Sequence, residues 1–365
     1  MKTEYEDHIP GRGWVTCKDA SSIGTCIVRT IFMFSLITRI IPSMTFARRK
    51  PHVRDAAAAL QVLHGLALAM LISNIGLAQT CDEMCIWEVS SRCLPDGGYL
   101  NCNQPFVVSR YDGCRWQPSS FEDMLNAPCF STADHRIVYV HGNWMEHSGA
   151  RERALLFYRK LCCQSTGPIC LVCYSWPSER ESRPLKDVFT KKSRVATEYF
   201  YLADLLQRIP NDKTLGIHGF SFGGAIVAGA LHLISGGSIN CHEACKGPFE
   251  HECMRVSLVA SAFDRNAFSN CGEFSQALGH VACLTNLYNS ADPVLKRFRF
   301  FDLGAAPIAA GFAGILMPAG GAELDHAPKI VQVDCSRYTG RSHFEVEYYQ
   351  QCPFTKVAIE NLLYK

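Results

Sequence analysis

Gly219, Ser221 and Gly223 form a G-x-S-x-G segment inside Thr-Leu-Gly-Ile-His-Gly-Phe-Ser-Phe-Gly-Gly-Ala-Ile, residues 214–226. A serine hydroxyl is a weak nucleophile at neutral pH. It needs an imidazole to take its proton, and the imidazole needs an acid to fix its tautomer. Asp292 and then His343 follow Ser221 in the chain. Together the three residue types can attack a carbonyl and pass through a covalent acyl intermediate. The segment alone would arise by chance about 0.1 times in a chain of this length, so its surroundings must carry the rest.

A serine so used sits on a sharp turn between a strand and a helix. Residues 215–217 are a short apolar run and 225–233 read as a helix, with Gly236 and Gly237 where a cap is expected. Gly219 and Gly223 suit a strained turn whose neighbouring backbone passes too close for a Cβ. Ser221 is then expected at the top of a sheet, with the Phe222 N–H at the helix start facing an anion. Around this segment, strands are expected at 136–140, 169–174, 254–260, 282–288 and 330–333. Helices are expected at 146–162, 185–208, 274–280 and 353–363. The alternation implies a parallel sheet with helices on both faces. Upstream, 86–89 and 105–109 read as antiparallel first strands around a turn at Pro95-Asp96-Gly97-Gly98. Residues 121–125 read as a short helix capped by Ser119 or Ser120.

Four features together resemble the serine-nucleophile branch of the α/β-hydrolase superfamily. They are His141-Gly142-Asn143 after a strand, the elbow at 219–223, Asp292 after the next-to-last strand, and His343 in Gly340-Arg341-Ser342-His343-Phe344 before the final helix. The resemblance spans residues 85–365 and is nearest to exported bacterial members sharing HGN and GFSFGG-type segments. It implies the α/β-hydrolase fold, a mostly parallel sheet with helices on both faces and antiparallel N-terminal strands. It also implies a Ser221, Asp292, His343 triad. The family's oxyanion hole uses the residue after the nucleophile and one after the HG strand, here Phe222 and Asn143. No cofactor or metal is expected.

Other residues compete for these roles. His141 occupies the HG turn, His218 lies within the elbow strand, and His326 precedes the last strand. Asp264 follows the 254–260 strand and is the alternative acid; Asp292 stands at the commoner place, with Pro293 fixing its turn. Cys241, His242, Cys245, His251 and Cys253 could bind zinc, but in an oxidising compartment they read as a disulfide-tied loop. Residues 303–328, rich in glycine, alanine and apolar side chains, read either as a loop packed on the sheet edge or as a flap lining an acyl pocket.

Charge balance excludes one class: a formal net charge of +2 over 365 residues gives no case for nucleic acid. The cysteines point to a compartment. Seventeen of the nineteen lie beyond residue 79, a density that fits paired cysteines in an exported protein. Being odd in number, they leave at least one unpaired within the monomer. Met44 offers an internal start, followed by Arg48, Arg49, Lys50 and Arg54, and residues 56–78 carry no charged side chain. Small residues at Gly76-Leu77-Ala78 complete a signal peptide, with the mature chain beginning near Gln79. The alternative is an uncleaved anchor through 56–78, which would associate the protein with a membrane.

The expected organisation is therefore 1–43 as an unplaced extension, suggestive of an over-long start, and 44–78 as signal peptide or anchor. Cys-rich N-terminal strands at 79–130 and a hydrolase core at 131–365 follow. The expected function is a secreted or periplasmic serine hydrolase cleaving a small-molecule acyl ester or lipid-like substrate, or, if anchored, one with its catalytic domain outside the cytoplasm. The alternative is a non-catalytic envelope or binding protein of the same fold. A zinc hydrolase lacks the H-E-x-x-H helix it would need.

Overall fold

The computed structural model describes residues 84–97, 102–180, 184–245, 254–301, 306–317 and 328–364. The expectations for 1–43 and 44–78, for His251, Cys253 and His326, and for half of 303–328 lie outside the described residues.

Nine strands form one sheet. In chain order they are β1 (Cys85–Ser90), β2 (Val107–Tyr111), β3 (Trp116–Ser119), β4 (His135–Val140), β5 (Ile169–Ser175), β6 (Thr214–Phe220), β7 (Met254–Val259), β8 (Val281–Tyr288) and β9 (Lys329–Asp334). Their spatial order is β3-β2-β1-β5-β4-β6-β7-β8-β9. From β1 to β9 every neighbouring pair is parallel. The β1–β2 and β2–β3 pairings are antiparallel. The longer helices are α3 (His147–Cys162), α4 (Pro184–Arg208), α5 (Phe222–Ile234) and α9 (Phe354–Leu363). Short helices fill the connections: α1 (Phe121–Asn126), α2 (Pro128–Ser131), α6 (Ala310–Ala313), α7 (Ser336–Thr339) and α8 (Glu345–Gln351).

The central strands β4, β5 and β6 are buried along almost their whole length, as parallel strands covered on both faces must be. Alternation sorts their side chains. Ile137 and Tyr139 of β4 pack with Phe157 of α3 and Leu362 of α9 on one face, while Val138 and Val140 join α4 and α5 on the other. All thirteen residues of α5 are buried. A Cβ on Gly229 would come within 2.4 Å of the Tyr199 ring, so α4 and α5 approach each other where a larger residue would clash.

The expected antiparallel N-terminal strands are present, β1 pairing antiparallel with β2, while β1 joins the parallel sheet through β5. Other expectations are corrected in detail. β3, antiparallel to β2, was not anticipated. β3 is four residues long and contains Pro118, which suits only an edge and weakens the strand pattern. Residues 274–280 form successive turns rather than a helix, with the Ala277 N–H donating to Phe274 and the Gly279 N–H to Gln276. α1 is capped by Ser120, whose hydroxyl accepts from the Asp123 N–H while the Asp123 carboxylate accepts from the Ser120 N–H.

Candidate active site

The turn between β6 and α5 carries Ser221 at φ 53° and ψ −120°, a conformation that costs a non-glycine residue strain and is held only by packing. That packing is visible at the two flanking glycines. A Cβ on Gly219 would lie 2.8 Å from the Gly223 carbonyl oxygen, and one on Gly223 would lie 2.2 Å from the Val140 carbonyl oxygen. The elbow is thus pressed against the end of β4. There the Gly142-Asn143 turn lies over the serine, since a Cβ on Gly142 would be 3.2 Å from the Ser221 Cβ.

Three parallel strands deliver the reacting groups to one edge of the sheet. Ser221 follows β6, Asp292 follows β8, and His343 follows β9 by way of α7. The Ser221 Oγ lies 3.0 Å from the His343 Nε2. The His343 Nδ1 lies 2.6 Å from the Asp292 Oδ2. For the Nε2 to accept the serine proton, the Nδ1 must carry the hydrogen and donate it to Asp292. Asp292 is fully buried, and its other oxygen accepts from the Val294 and Leu295 N–H groups at 2.8 and 3.1 Å. Phe220 packs on the imidazole with ring centroids 5.3 Å apart.

Phe222 and Asn143 flank the serine in different ways. Phe222 is the first residue of α5, where the helix dipole favours negative charge. The Asn143 Nδ2 donates to the Asp187 Oδ2 at 3.4 Å, and the Trp144 Nε1 donates to the same oxygen at 2.6 Å. Asp187, a buried residue of α4, therefore fixes the turn beside Ser221.

The competing residues stand elsewhere. The His141 Nε2 accepts from the Trp176 N–H at 3.2 Å, and its ring stacks on the Trp176 indole. Burial, reinforced by the nearby Arg92 guanidinium, pulls His141 down to about 3, so it is neutral at physiological pH. His218 lies between the Ser257 Oγ and the Tyr349 hydroxyl, each 3.1 Å away. Asp264 accepts from its own neighbour Asn266, through both the backbone and side-chain N–H. Among the described residues no group of three or more His, Cys, Asp or Glu is arranged to hold a metal. Residues 306–317 of the apolar segment are bonded to the sheet, with the Asn289 N–H donating to Gly311 and the Gly311 N–H to Ser261.

Two residues absent from the sequence reading hold the histidine loop. The Asn289 side-chain amide donates to the Thr339 Oγ1 and to the Gly340 and Ser342 carbonyls at 3.0 to 3.1 Å. Glu345, buried, accepts from the Tyr139 hydroxyl at 2.9 Å and from the Tyr349 hydroxyl, and the Arg153 Nε stands 3.6 Å away. The available signal was Tyr139 and His218 within otherwise apolar strands, since buried polar tips need partners.

The Cys85 Sγ lies 2.7 Å from that of Cys129 and 2.9 Å from that of Cys170, and the Cys335 and Cys352 sulfurs are 2.8 Å apart.

No protein-family model matches the chain, and no curated protein does either. Among solved structures it is similar to the Zea mays acyl-protein thioesterase 2, at 16% identity and a TM-score of 0.32 over 62% of this chain and 95% of that one. It is also similar to an inhibited esterase B from Lactobacillus rhamnosis, at 13% identity and a TM-score of 0.31 over 84% of this chain and 94% of that one. Likenesses this low add nothing to what the sheet itself displays. With parallel strands in the order β5-β4-β6-β7-β8-β9, a strained serine turn after β6, and groups converging from the ends of β4, β8 and β9, the chain has the α/β-hydrolase fold.

Proposed function

We propose that this protein is a serine hydrolase cleaving a carboxylic ester or related acyl bond. The observation that carries the reading is the continuous relay Ser221, His343, Asp292, at 3.0 and 2.6 Å, beginning at a serine held in a strained backbone conformation. A binding protein of this fold has no use for all three groups in contact.

In this reading the His343 Nε2 takes the proton of the Ser221 hydroxyl as its oxygen attacks the acyl carbonyl. Asp292 holds the ring in the required tautomer and stabilises the imidazolium. The Phe222 N–H and the Asn143 turn stabilise the oxyanion; each such donor is worth about 10² to 10³ in rate. The imidazolium then protonates the leaving group. Water, deprotonated by His343, attacks the acyl-enzyme and restores Ser221. These steps use only the groups of the chain and water. The substrate in this reading is a small acyl ester or lipid-like molecule, the kind of acyl bond a serine nucleophile of this type attacks.

The export proposal rests on the uncharged 56–78 stretch, its basic flank and the cysteine density. Either the chain is cleaved after Ala78, so that the mature enzyme begins near Gln79 and is released, or residues 56–78 remain as an uncleaved anchor; in both cases the catalytic domain acts outside the cytoplasm. Labelling with a fluorophosphonate tests the catalytic reading. The wild type should be labelled and Ser221→Ala should not; an unlabelled wild type would leave the non-catalytic binding protein as the better account.

A further inference from the structure

Immediately after Asp292 the chain reads Pro-Val-Leu-Lys-Arg-Phe-Arg-Phe-Phe. Residues Leu295–Phe301 form a 3₁₀ helix. Asp292 itself accepts the Val294 and Leu295 N–H groups at the start of this helix, and Leu295 is buried beneath it. The helix forms one wall of a cleft of about 590 Å³, lined by Ser290, Ala291, Pro293, Lys296, Arg297, Arg299, Phe300 and Arg341. The loop bearing His343 contributes Arg341, two residues before the histidine. The cleft is thus lined by the residues on either side of Asp292, Ala291 and Pro293, and by Arg341.

Among the described residues, four cations and no carboxylate line this cleft. None of the four forms an ion pair with a described carboxylate. The Arg297 guanidinium donates to the Pro293 carbonyl at 3.1 Å, and that of Arg299 lies over the Phe300 ring at 5.0 Å. Both contacts orient the side chain and leave its charge uncompensated. The neighbouring carboxylate, Asp334, accepts from the Ser290 N–H and Oγ and the Ser336 N–H. In a chain whose formal net charge is +2, four cations in one cleft are a local concentration of charge that repels itself when empty. Three of the four are arginines, whose planar forks match a tetrahedral oxyanion in two-point contact.

We propose that this cleft binds a phosphate-type dianion carried by the substrate, next to the acyl bond that Ser221 attacks. The proposal rests on the hydrolase reading for its place in the reaction. It adds the substrate class: an acyl ester whose remaining part bears a phosphate, either a soluble organophosphate or a lipid headgroup. Phe300, about half exposed, supplies an apolar surface beside the anion site.

Two esters of the same acyl group test it, one with a neutral nitrophenol leaving group and one whose leaving group also bears a phosphate monoester. The wild type should prefer the phosphorylated ester by about tenfold in kcat/KM, and added salt should shrink the preference. Lys296→Gln/Arg299→Gln, with folding checked by circular dichroism, should lose the preference and keep its rate on the neutral ester. Flotation with vesicles identifies the other source. Binding to phosphatidylcholine vesicles containing phosphatidic acid, absent with phosphatidylcholine alone and lost in the double variant, places the anion in a headgroup. No preference and no selective flotation, or either one retained in the double variant, overturns the proposal. If neither ester is cleaved, the hydrolase reading fails separately, and titration calorimetry with inorganic phosphate judges the cleft. Binding lost in the double variant sustains an anion site; no binding by the wild type ends it.

Discussion

The side-chain amide of Asn289 donates to the Ser342 carbonyl at 3.0 Å, tying the turn that carries Asp292 to the loop that carries His343. The same amide reaches Thr339 and Gly340, and its carbonyl oxygen accepts the Ala291 N–H. One buried residue at the end of β8 thus sets the distance between the acid and the imidazole. Asn289→Ala should lower kcat by about 10²-fold through misplacement of His343, with KM little changed. Steady-state kinetics on a neutral ester checks this, and wild-type kcat in a folded variant would show that the tie does not position the histidine.

Asp292 and Asp264 both follow strands after Ser221, and the geometry separates them. Asp292 lies against the imidazole; Asp264 accepts from Asn266. Asp292→Asn should lower kcat by about 10⁴-fold, because an amide presents the wrong partner to the Nδ1–H. Asp264→Asn should leave turnover within a few-fold of the wild type. Parallel kinetics on the two variants decide, and the reverse ranking would move the acid one strand earlier.

His141 makes stability depend on pH. Its folded value is about 3 against an ordinary 6.5, so between these the unfolded chain binds the extra proton. Stability is therefore fully present above pH 6.5 and lost as pH falls, by about 1.4 kcal/mol per unit at the steepest. Urea unfolding at pH 7, 6 and 5 should show a steeper decline in the wild type than in His141→Gln. Equal slopes would mean that His141 is not buried in its neutral form.

Cys335 and Cys352 bracket the loop that carries His343. The adjoining Cys335 thiol and the Phe354 and Thr355 N–H groups lower Cys352, favouring its thiolate. With oxidised glutathione, that thiolate displaces one glutathione thiolate, and Cys335, losing its proton, then displaces the second to leave a disulfide. In exported material the two peptides should be found linked, and reduction should cost about 3 kcal/mol of stability. Non-reducing peptide mapping and denaturant unfolding test this. Full alkylation of both thiols in native exported protein would contradict it.

What the sequence disclosed follows from how local each signal was. The elbow was legible because its glycines, serine and flanking apolar runs lie within nineteen residues, 215 to 233. Asp292 and His343 were expected from chain order and the resemblance together, Asp292 just after a strand and His343 in the loop before the final helix. Asn289 and Glu345 were not, since their roles depend on Gly340, Ser342, Tyr139 and Tyr349, which only the fold brings near. The 274–280 turns passed for a helix because their apolar residues recur at helical spacing. β3 escaped notice because a short edge strand need not bury an alternating face.

The most direct measurement of the central claim is the mass of the protein quenched during turnover of an activated ester. The account predicts one acyl group, carried on the peptide containing Ser221, formed in the wild type and absent from Ser221→Ala. Turnover with no adduct on Ser221, or an acyl group found on another residue, would contradict it.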